Sequence, residues 1–515
     1  MIYLIEIEAA DEATGALTTL RFASRAYTTR PDDEPANAVF RSRLKDPGNY
    51  ERYLFGQGRT FGESEVGAGE VVLVNTDGAL DFMLDLAFDG RALRIYSLKR
   101  VNSAWSSRET VLIATMEQAS FNGREVAIRL RDRLELLRDP IQSAVYLGTT
   151  TEGGRADAEG NSDLKDTKKP MLFGRVLNVA PVLVDQFDNI YQVSANPLAA
   201  VTAVTTARDT GVKLSAAGDF PSLAALKAAP IPQGHYGTCL ASGLVRTYAR
   251  PNGTMTVDAN EGATLADRSA ARIVRRIIGA IGAVSEADFE ALHAANPAEC
   301  GIFIAPSETT TLAVASTILA SIGGFLSVDL LGVFRVGRLL LPSGPPEARL
   351  IRNRIIDRGE GFARLPTNDP GDGVPAWKIT VRYGRNYTVF SESDLKEVAT
   401  DDAFRTFATL EWRQVIVEDA AVKQRHPKAS ELVFETCLLN EADARSFAAH
   451  LLAIYSKRRD LFRVVQPSAT VAGVDPNDVV ELAIDRYGFG AGKLVRVLGV
   501  VPTFSTNLTE LEVWL

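Results

Sequence analysis

Short segments in which apolar and polar residues alternate, each closed by a turn signal, recur along most of the chain. MIYLIEIEA (1–9) and LTTLRFA (17–23) flank a polar stretch and predict a β-hairpin. A β-branched strand precedes the turn signal NTDG (75–78), and an Asn-Gly pair (122–123) separates two later strands. No repeat of fixed period joins these segments, so their spacing predicts small β-barrels or sandwiches.

The hydrophobic period changes to that of a helix between residues 265 and 322. One face of the first helix carries four isoleucines, Ile273, Ile277, Ile278 and Ile281. The predicted elements of this region are helices at 267–284, 285–297 and 308–322, followed by strands at 325–329 and 333–341.

Beyond residue 376, helical and strand patterns alternate. The segment WKITVRYGRNYTVF predicts a strand pair around residues 384–386, and residues 401–419 predict an amphipathic helix. The inward positions expected for that helix are Ala403, Phe407, Leu410 and Val415. A second amphipathic helix is expected at 440–460, with strands after it as far as residue 515.

Two stretches separate these regions. Residues 148–169 are polar and Gly-rich and are expected to be a linker or long loop, and residues 344–375 are rich in Pro, Gly and Asp. The predicted organisation is an N-terminal β-rich domain at 1–147, the linker at 148–169, a β-rich middle domain at 170–264, a helix-rich domain with short strands at 265–343, a loop at 344–375, and a C-terminal α+β domain at 376–515. The expected fold class is therefore α+β: several domains, mainly antiparallel β-barrels or sandwiches, with a central helical insert.

The composition is that of a folded protein without a dedicated nucleic-acid surface. Hydrophobic residues make up 46% of the chain and charged residues 23%, which rules out wholesale disorder. The formal charge of -8 argues against a nucleic-acid binder, which needs a basic face to displace counterions. The most apolar stretch, near 311–334, is interrupted by Gly323, Gly324 and Asp329, so we expect a soluble chain with no membrane span.

Chemical motifs are sparse, and the sequence predicts neither a metal nor a cofactor. It contains no GxSxG elbow, no P-loop and no HExxH pair. The histidines and cysteines lie in separate segments: His235, His293, His426 and His450, and Cys239, Cys300 and Cys437. Their wide spacing excludes a CxxC metal site or a disulfide framework.

Three local features have ordinary explanations. GFGAGK (488–493) lacks the spacing of a phosphate-binding loop and lies between two strands, which predicts a β-turn. Asp81, Asp85 and Asp89 recur every four residues without the alternating ligands of a calcium loop, so we expect solvated positions on a turn and short helix. The basic run at 457–459 suits the negative end of a helix dipole and needs no anionic partner.

Four phrases occur in order along the chain. The first phrase, at 59–96, is a strand with an N-x-DG turn followed by DGR, and the second is the run KPMLFGRVLNVAPVLVD at 169–185. The third, at 308–341, is a helix followed by GG and two strands, and the fourth is the ending from RRDLFRVVQP to VLGV at 458–500. Together they resemble the baseplate hub proteins at the tail tip of long-tailed, siphophage-like bacteriophages, with their prophage and gene-transfer-agent relatives.

The resemblance implies a structural virion protein without enzymatic activity, assembled in the host cytoplasm and located in the virion tail. Such hubs form rings of β-domains, usually trimers, which join the tail tube to a narrower tip and form part of the DNA channel. The implied partners are further copies of the chain, a distal tail or tube protein above, a tail-tip, fibre or tape-measure protein below, and DNA that passes during ejection without sequence-specific binding. An acidic channel would repel that DNA.

The resemblance supplies no catalytic, cofactor-binding or metal-binding residue. Some relatives carry clustered cysteines for an iron–sulfur centre, but a cluster usually needs four thiolates and this chain has three dispersed cysteines. The candidate residues set turns, either within the subunit or at a subunit contact. They are Asn75, Asp77, Gly78, Asp89, Gly90, Arg91, Gly174, Arg175, Tyr487, Gly488 and Gly492.

Two alternatives to a structural role stay open. One is a tail-associated cell-wall hydrolase that uses Cys239 with a histidine, for which the nearby His235 is the place to look. The other is a tail protein that binds a host receptor or glycan, in which Tyr191, Tyr236 and Tyr248 form a stacking platform.

Overall fold

The computed structural model describes residues 1–131, 133–356, 361–369, 373–395 and 401–515. These residues form five β-sheets and seven α-helices. The sheets are mainly antiparallel, and three of the helices pack together between the larger sheets. The α+β, β-rich, multi-domain fold class predicted from the sequence is thus confirmed.

The first 131 residues contain twelve strands. They are β1 (Ile2–Asp11), β2 (Leu17–Ala23), β3 (Tyr27–Thr28), β4 (Val39–Ser42), β5 (Leu44–Asp46), β6 (Tyr50–Tyr53), β7 (Glu65–Ala68), β8 (Glu70–Val74), β9 (Leu86–Ala87), β10 (Ala92–Leu98), β11 (Glu109–Phe121) and β12 (Glu125–Arg131).

Ten of these strands form the N-terminal sheet, in the order β3-β4-β2-β1-β10-β11-β12-β8-β5, with β9 also paired to β1. The predicted hairpin of β1 and β2 is confirmed, with Ile5 opposite Phe22. One face of the sheet buries Ile5, Ile7 and Ile95 because apolar residues occupy every second position of these strands. The other two strands, β6 and β7, belong to the C-terminal sheet.

The middle of the chain contains nine strands and three helices. They are β13 (Met171–Val179), β14 (Val182–Asp185), β15 (Ile190–Gln192), β16 (Val201–Asp209), β17 (Val212–Asp219), α1 (Leu223–Ala228), β18 (His235–Cys239), β19 (Leu244–Thr247), β20 (Met255–Glu261), α2 (Ala270–Gly279), α3 (Glu286–Ala295) and β21 (Gly301–Ile304). The strands form the middle sheet, in the order β14-β15-β19-β18-β17-β16-β20-β13-β21.

The described residues beyond β21 contain four helices and eleven strands. They are α4 (Thr311–Ala320), β22 (Gly324–Val328), β23 (Phe334–Arg338), β24 (Arg349–Ile351), β25 (Phe362–Leu365), β26 (Ala376–Tyr383), α5 (Asp402–Ala408), β27 (Arg413–Glu418), α6 (Ala420–Arg425), β28 (Ser430–Glu435), α7 (Glu441–Tyr455), β29 (Leu461–Pro467), β30 (Val479–Ala483), β31 (Lys493–Thr503) and β32 (Leu508–Trp514).

These strands form three sheets. The C-terminal sheet has the order β24-β30-β31-β32-β29-β25 and receives β6, which pairs β31 and β7. A three-stranded sheet has the order β27-β26-β28, and β22 pairs β23. The largest buried cluster lies between α2, α4, α7 and the three-stranded sheet, and includes Ile277, Ile318, Phe447 and Val381.

The three predicted helices of the 265–322 region are present as α2, α3 and α4, each shorter than expected. Ile273, Ile277 and Ile278 are buried as predicted, whereas Ile281 is half-exposed because α2 ends at Gly279. Ser269 caps α2, its side chain accepting a hydrogen bond from the backbone N–H of Arg272.

The helix predicted over 401–419 is wrong in its second half. Helix α5 ends at Ala408, and Arg413–Glu418 form β27. The run Val415-Ile416-Val417 is β-branched, which favours a strand, and Val415 is buried opposite Val381. Leu410, expected to point inward, is 53% exposed.

Two further expectations need correction. The strand pair around residues 384–386 is a single strand, β26, because the Asn386 side chain holds the following segment by hydrogen bonds to the backbone carbonyls of Ala408 and Leu410. The segment 344–375, expected to be a loop, contains the short strands β24 and β25, which pair along β30 and β29 respectively at the two ends of the C-terminal sheet.

Candidate functional site

Asn75 organises the turn after β8. It is 1% exposed, its Nδ2 donates to Asp81 Oδ1 at 2.8 Å, and its Oδ1 accepts from the backbone N–H of Leu80 at 2.8 Å. The exposed Asp77 carboxylate accepts two hydrogen bonds from the Arg43 guanidinium, which holds its pKa well below the ordinary value. The NTDG phrase therefore shapes a turn within the N-terminal sheet.

The second N-terminal candidate group lies at the turn between β9 and β10. Asp89 is exposed, and the backbone N–H of Gly90 donates to the carbonyl of Met116 at 2.9 Å. The backbone N–H of Arg91 donates to the carbonyl of Phe88 at 3.0 Å. These contacts also lie within one sheet.

Gly174 occupies the tightest backbone crossing among the candidates. Its φ is +68°, and a Cβ there would lie 2.1 Å from the carbonyl oxygen of Cys300, so a larger residue cannot fit. Its N–H donates to the buried carboxylate of Glu261, which also pairs with Arg276 at 2.6 Å. Arg175 lies 3.6 Å from Glu299. This crossing joins the middle sheet to α2.

The third group forms the turn between β30 and β31, where the sequence predicted a β-turn in place of a phosphate loop, and that prediction is confirmed. Tyr487 has a φ of +55° and is 63% exposed, with its ring 5.8 Å from that of Phe462. Gly492 lies against Glu481, where a Cβ would be 2.0 Å from Oε1.

The candidate residues thus lie in three different sheets and make the local contacts described above. The candidates at 75–91 and 487–492 shape turns within the subunit, whereas Gly174 and Arg175 lie inside β13 and do not set a turn as expected. A role at a subunit contact stays a prediction.

The structure separates the two members of the hydrolase alternative. His235 and Cys239 begin and end β18, and four steps along a strand span about 13 Å. Cys239 is fully buried among apolar side chains that include Tyr146 and Leu226, while His235 Nδ1 contacts the carbonyl oxygen of Gln233 at 3.0 Å. This pair does not form a nucleophile–base dyad.

The tyrosine platform of the glycan alternative does not form either. Tyr191 and Tyr236 are 7% and 4% exposed and pack in the core of the middle sheet. Only Tyr248 of the three is exposed, because the other two fall on the inward face of their strands.

The three-stranded sheet exposes a surface that sequence reasoning missed. Its outward positions form a grid of three cross-strand rows, here called the β26 face: Glu418, Lys378, Glu431; Ile416, Thr380, Val433; Gln414, Arg382, Glu435. Polar and apolar residues alternate in β27 and β28, and this alternation could have indicated the exposed face, but β27 was predicted as a helix. The opposite face of the same sheet packs on α7.

In the middle row of the β26 face the two outer residues are apolar, and three of the four corner residues of the face are glutamates. Ile416 and Val433 are 42% and 55% exposed on either side of Thr380, which is 8% exposed. Lys378 lies 3.1 Å from Glu431, and the next ion pair, Arg382 with Glu435, is 2.7 Å long. An exposed apolar row bordered by charges is a usual feature of an interaction surface.

A second missed feature is the segment at residues 50–68, here called the strap, which carries β6 and β7 into the C-terminal sheet. Arg52 is 4% exposed and pairs with Asp475 at 2.8 Å. Thr60 donates from its hydroxyl to Asp369 at 2.5 Å, and burial raises the pKa of that carboxyl.

Glu512 lies beneath the strap. Its Oε1 accepts from the backbone N–H of Gly58 at 3.2 Å, while its Oε2 is buried without a partner in the described part of the chain. Burial raises the pKa of Glu512 to about 7, with Glu510 and Asp369 adding to the effect and Arg463 opposing it.

His450 of α7 faces the cavity on the other side of the strap, together with Phe61 and Gly62. Its Nε2 contacts the carbonyl oxygen of Leu339 at 3.2 Å. Burial and the nearby Arg338 together lower the pKa of His450 to about 4, with the hydrogen bond to the Leu339 carbonyl opposing them.

A different junction joins the middle sheet to the three-stranded sheet, and two neutral side-chain amides meet there. Asn178 Nδ2 donates to Asn386 Oδ1 at 2.8 Å and to the carbonyl of Thr388 at 2.7 Å. Asn386 Nδ2 donates to three carbonyls, of which that of Ala408 is nearest at 2.9 Å. Both asparagines are buried.

Residues 148–169, predicted to be a linker or loop, contain one short 3-10 turn and lie against the middle sheet. Lys227 of α1 holds them in place. Its Nζ donates to the carbonyls of Arg155 and Asp157 at 2.7 and 2.9 Å and to the Asp185 carboxylate at 2.6 Å.

Within the described ranges, no group of three or more His, Cys, Asp and Glu side chains could hold a metal ion. Those same ranges include no helix with the length and hydropathy needed to cross a bilayer.

No family model matches the chain, and no curated protein matches it. Among solved structures, the chain has partial similarity to several whose descriptions name tail proteins or a virion. The tail protein from Neisseria meningitidis MC58 has 12% identity and a TM-score of 0.38, covering 99% of this chain and 96% of its own. The virion of a native gene transfer agent particle has 15% identity and a TM-score of 0.43, covering 72% and 90%. The 43 kDa tail protein of prophage MuSo2 from Shewanella oneidensis has 10% identity and a TM-score of 0.40, covering 99% and 98%.

Proposed function

We propose that the chain is a structural protein of a phage-type tail tip, a baseplate hub located in the virion tail, and that it acts by assembly without catalysis. Its sequence phrases at 59–96, 169–185, 308–341 and 458–500 resemble hub proteins, and the similar solved structures are described as tail or virion components. In this role, copies of the chain form a trimer that joins the tail tube to the tip and surrounds part of the DNA channel. A tube or distal tail protein binds above it and a tip, fibre or tape-measure protein below.

The observation that carries the proposal is the exposed β26 face. Two β-branched apolar side chains, Ile416 and Val433, stand in solvent in its middle row, and the sheet ends on both sides in strands that pair only with β26 among the described strands. A sheet with such a face and such edges is suited to contact with another subunit.

The proposal is tested by the absolute mass in solution, measured by light scattering across a concentration range. We expect a species of three times 55.7 kDa, alone or after mixing with the proteins that flank it in the tail. Ile416→Glu and Val433→Glu should reduce the measured mass to that of a single chain, because each substitution would bury a charge in the proposed subunit contact.

Val39→Glu is the matched control, since Val39 is also a strand residue and is 57% exposed. It should leave the mass of the assembly unchanged. A wild-type chain that stays monomeric with those neighbours, or that cleaves peptidoglycan, would refute the hub assignment.

A further inference from the structure

Basic residues that are distant in sequence line one open cleft. KQRHPK (423–428) leads from α6 to β28, and Lys457-Arg458-Arg459 follows α7. His426, Arg458 and Arg459 line a cleft of about 820 Å³ together with Arg364 of β25. The sequence predicts only a helix-end role for the run at 457–459, whereas in the structure Arg459 fills that role and Arg458 pairs with Asp460.

The cleft carries more positive than negative charge. Arg364 and Arg458 share the single carboxylate of Asp460, and both bind the same oxygen, at 2.6 and 3.2 Å. The side chains of Arg364 and Arg458 remain 49% and 58% exposed. Because one carboxylate neutralises one guanidinium, the pair retains a net positive charge that faces the cleft.

Arg459 does fulfil the helix-end role, but it has no carboxylate partner in the described part of the chain. It donates to the carbonyls of Ile454 and Ala453 at 3.1 and 3.2 Å, and its guanidinium lies 5.3 Å from the ring of Trp514. Partial burial lowers the pKa of Arg459, since no nearby anion offsets the loss of water. A guanidinium that is half-buried and has no carboxylate partner among the described residues favours the binding of an anion.

The walls of the cleft are partly apolar. Leu365 and Leu461 line it beside the charged groups. Leu365 belongs to β25, the last strand in the order of the C-terminal sheet, which pairs only with β29 among the described strands. The outer edge of such a strand can pair with an extended backbone.

We propose that this cleft binds an extended, acidic segment of another protein chain. Carboxylates of the segment contact Arg458 and Arg459, its apolar side chains lie on Leu365 and Leu461, and its backbone runs along β25. A peptide suits the cleft better than a nucleic acid, because a phosphodiester chain has no apolar groups for the leucine walls. The inference stands on the cleft alone and holds whether or not the chain forms a trimer.

The test uses fluorescence anisotropy with the full chain. The probe is a labelled peptide of alternating glutamate and valine, compared with its glutamine counterpart and with a single-stranded oligonucleotide of the same charge. We expect the acidic peptide to bind most tightly and the binding to weaken with added salt. The variant Arg364→Gln/Arg458→Gln should weaken it about tenfold or more, because it removes the charge-assisted contact to Arg458 and leaves Asp460 unopposed, so that the cleft loses its net positive charge.

Arg445→Gln is the matched control, since Arg445 also pairs with a carboxylate on α7, at 2.8 Å from Glu441, outside the cleft. It should leave the affinity unchanged, and equal thermal midpoints would confirm that the variants fold. Equal binding of the acidic and glutamine peptides, unchanged binding by the double variant, or tighter binding of the oligonucleotide would each overturn the proposal. Trimer mass in light scattering is independent of all these outcomes.

Discussion

Two junctions hold distant parts of this chain together, and they use opposite chemistry. At the junction of the middle and three-stranded sheets, Asn178 and Asn386 are buried, neutral and linked to each other. At the strap, the buried groups are ionisable, namely Arg52, Asp369 and Glu512, and some of their atoms lack partners among the described residues.

The difference predicts where the fold responds to its surroundings. Neither side chain of the amide pair titrates, so its contribution to the free energy of unfolding is the same at every ordinary pH, although the buried Asn178 Oδ1 has no hydrogen-bond partner among the described residues. A buried carboxyl or imidazole couples stability to pH through its shifted pKa. We therefore expect the strap to be the pH-sensitive junction and the amide junction to be the rigid one.

The largest effect is expected at the amide junction. Asn386→Ala should lower the free energy of unfolding by about 4 kcal/mol, because it leaves several buried polar groups without partners. The loss should be the same at pH 5 and pH 8, which urea titration at both values would measure. Asn252→Ala removes an amide at an exposed turn and serves as control, and a loss of similar size there would contradict the argument.

Glu512→Gln should change the pH dependence at the strap. The raised pKa means that folded Glu512 holds its proton from about pH 4.5 to 7 where the unfolded chain does not, so wild-type stability falls as the pH rises through that range. In the wild type this fall in the free energy of unfolding amounts to about 3 kcal/mol, as expected from the size of the pKa shift, and the variant should abolish it. Glu435→Gln, on the β26 face, should keep the wild-type slope, and an identical slope in Glu512→Gln would refute the assignment.

Thr60→Val keeps the volume of the side chain and removes its hydroxyl. The bonds to Asp369 and to Tyr455 are lost, so we expect a cost of about 1.5 kcal/mol and faster hydrogen exchange confined to the strap. Thr202→Val, whose hydroxyl lies at an exposed strand position, is the control. Faster exchange throughout the chain would show that the strap does not open separately.

His450→Gln should change the pH dependence with a sign opposite to that of Glu512→Gln. Folded His450 stays neutral down to about pH 4, whereas the unfolded chain takes up a proton below 6.5, so wild-type stability falls as the pH drops through that range. The variant should flatten this acid side of the stability profile. His426→Gln, in the basic cleft, is the control and should leave the acid side as in the wild type.

The sequence predicted the elements that depend on local pattern. The β1–β2 hairpin, the helices of the 265–322 region and the turn at 488–493 follow from alternation, period and turn residues that lie close together in the chain. The prediction over 401–419 was wrong because its apolar residues also fit a helical period, and burial of Val415 against β26 decided for a strand. That contact is tertiary, so no local signal announces it.

The candidate residues show the same limit. Asn75 and Gly174 were found because turns and close crossings need particular residue types. The strap, the β26 face and the basic cleft were missed, since each is made by segments far apart in sequence. Nothing in the sequence around Thr60 indicates that its hydroxyl contacts Asp369.

The strap has a consequence for how the chain is made. Gly58 is separated from its partner Glu512 by 454 residues, so β6 leaves the ribosome long before β31 and β32 exist. At about 5–20 residues per second, the wait is roughly 20 to 90 s. During that time the strap has unpaired backbone and exposed aromatic side chains beside a finished N-terminal sheet, which makes the nascent chain prone to aggregation. Completion of the C-terminal sheet then closes a loop that encloses nearly the whole protein, so neither end can fold to its final form without the other.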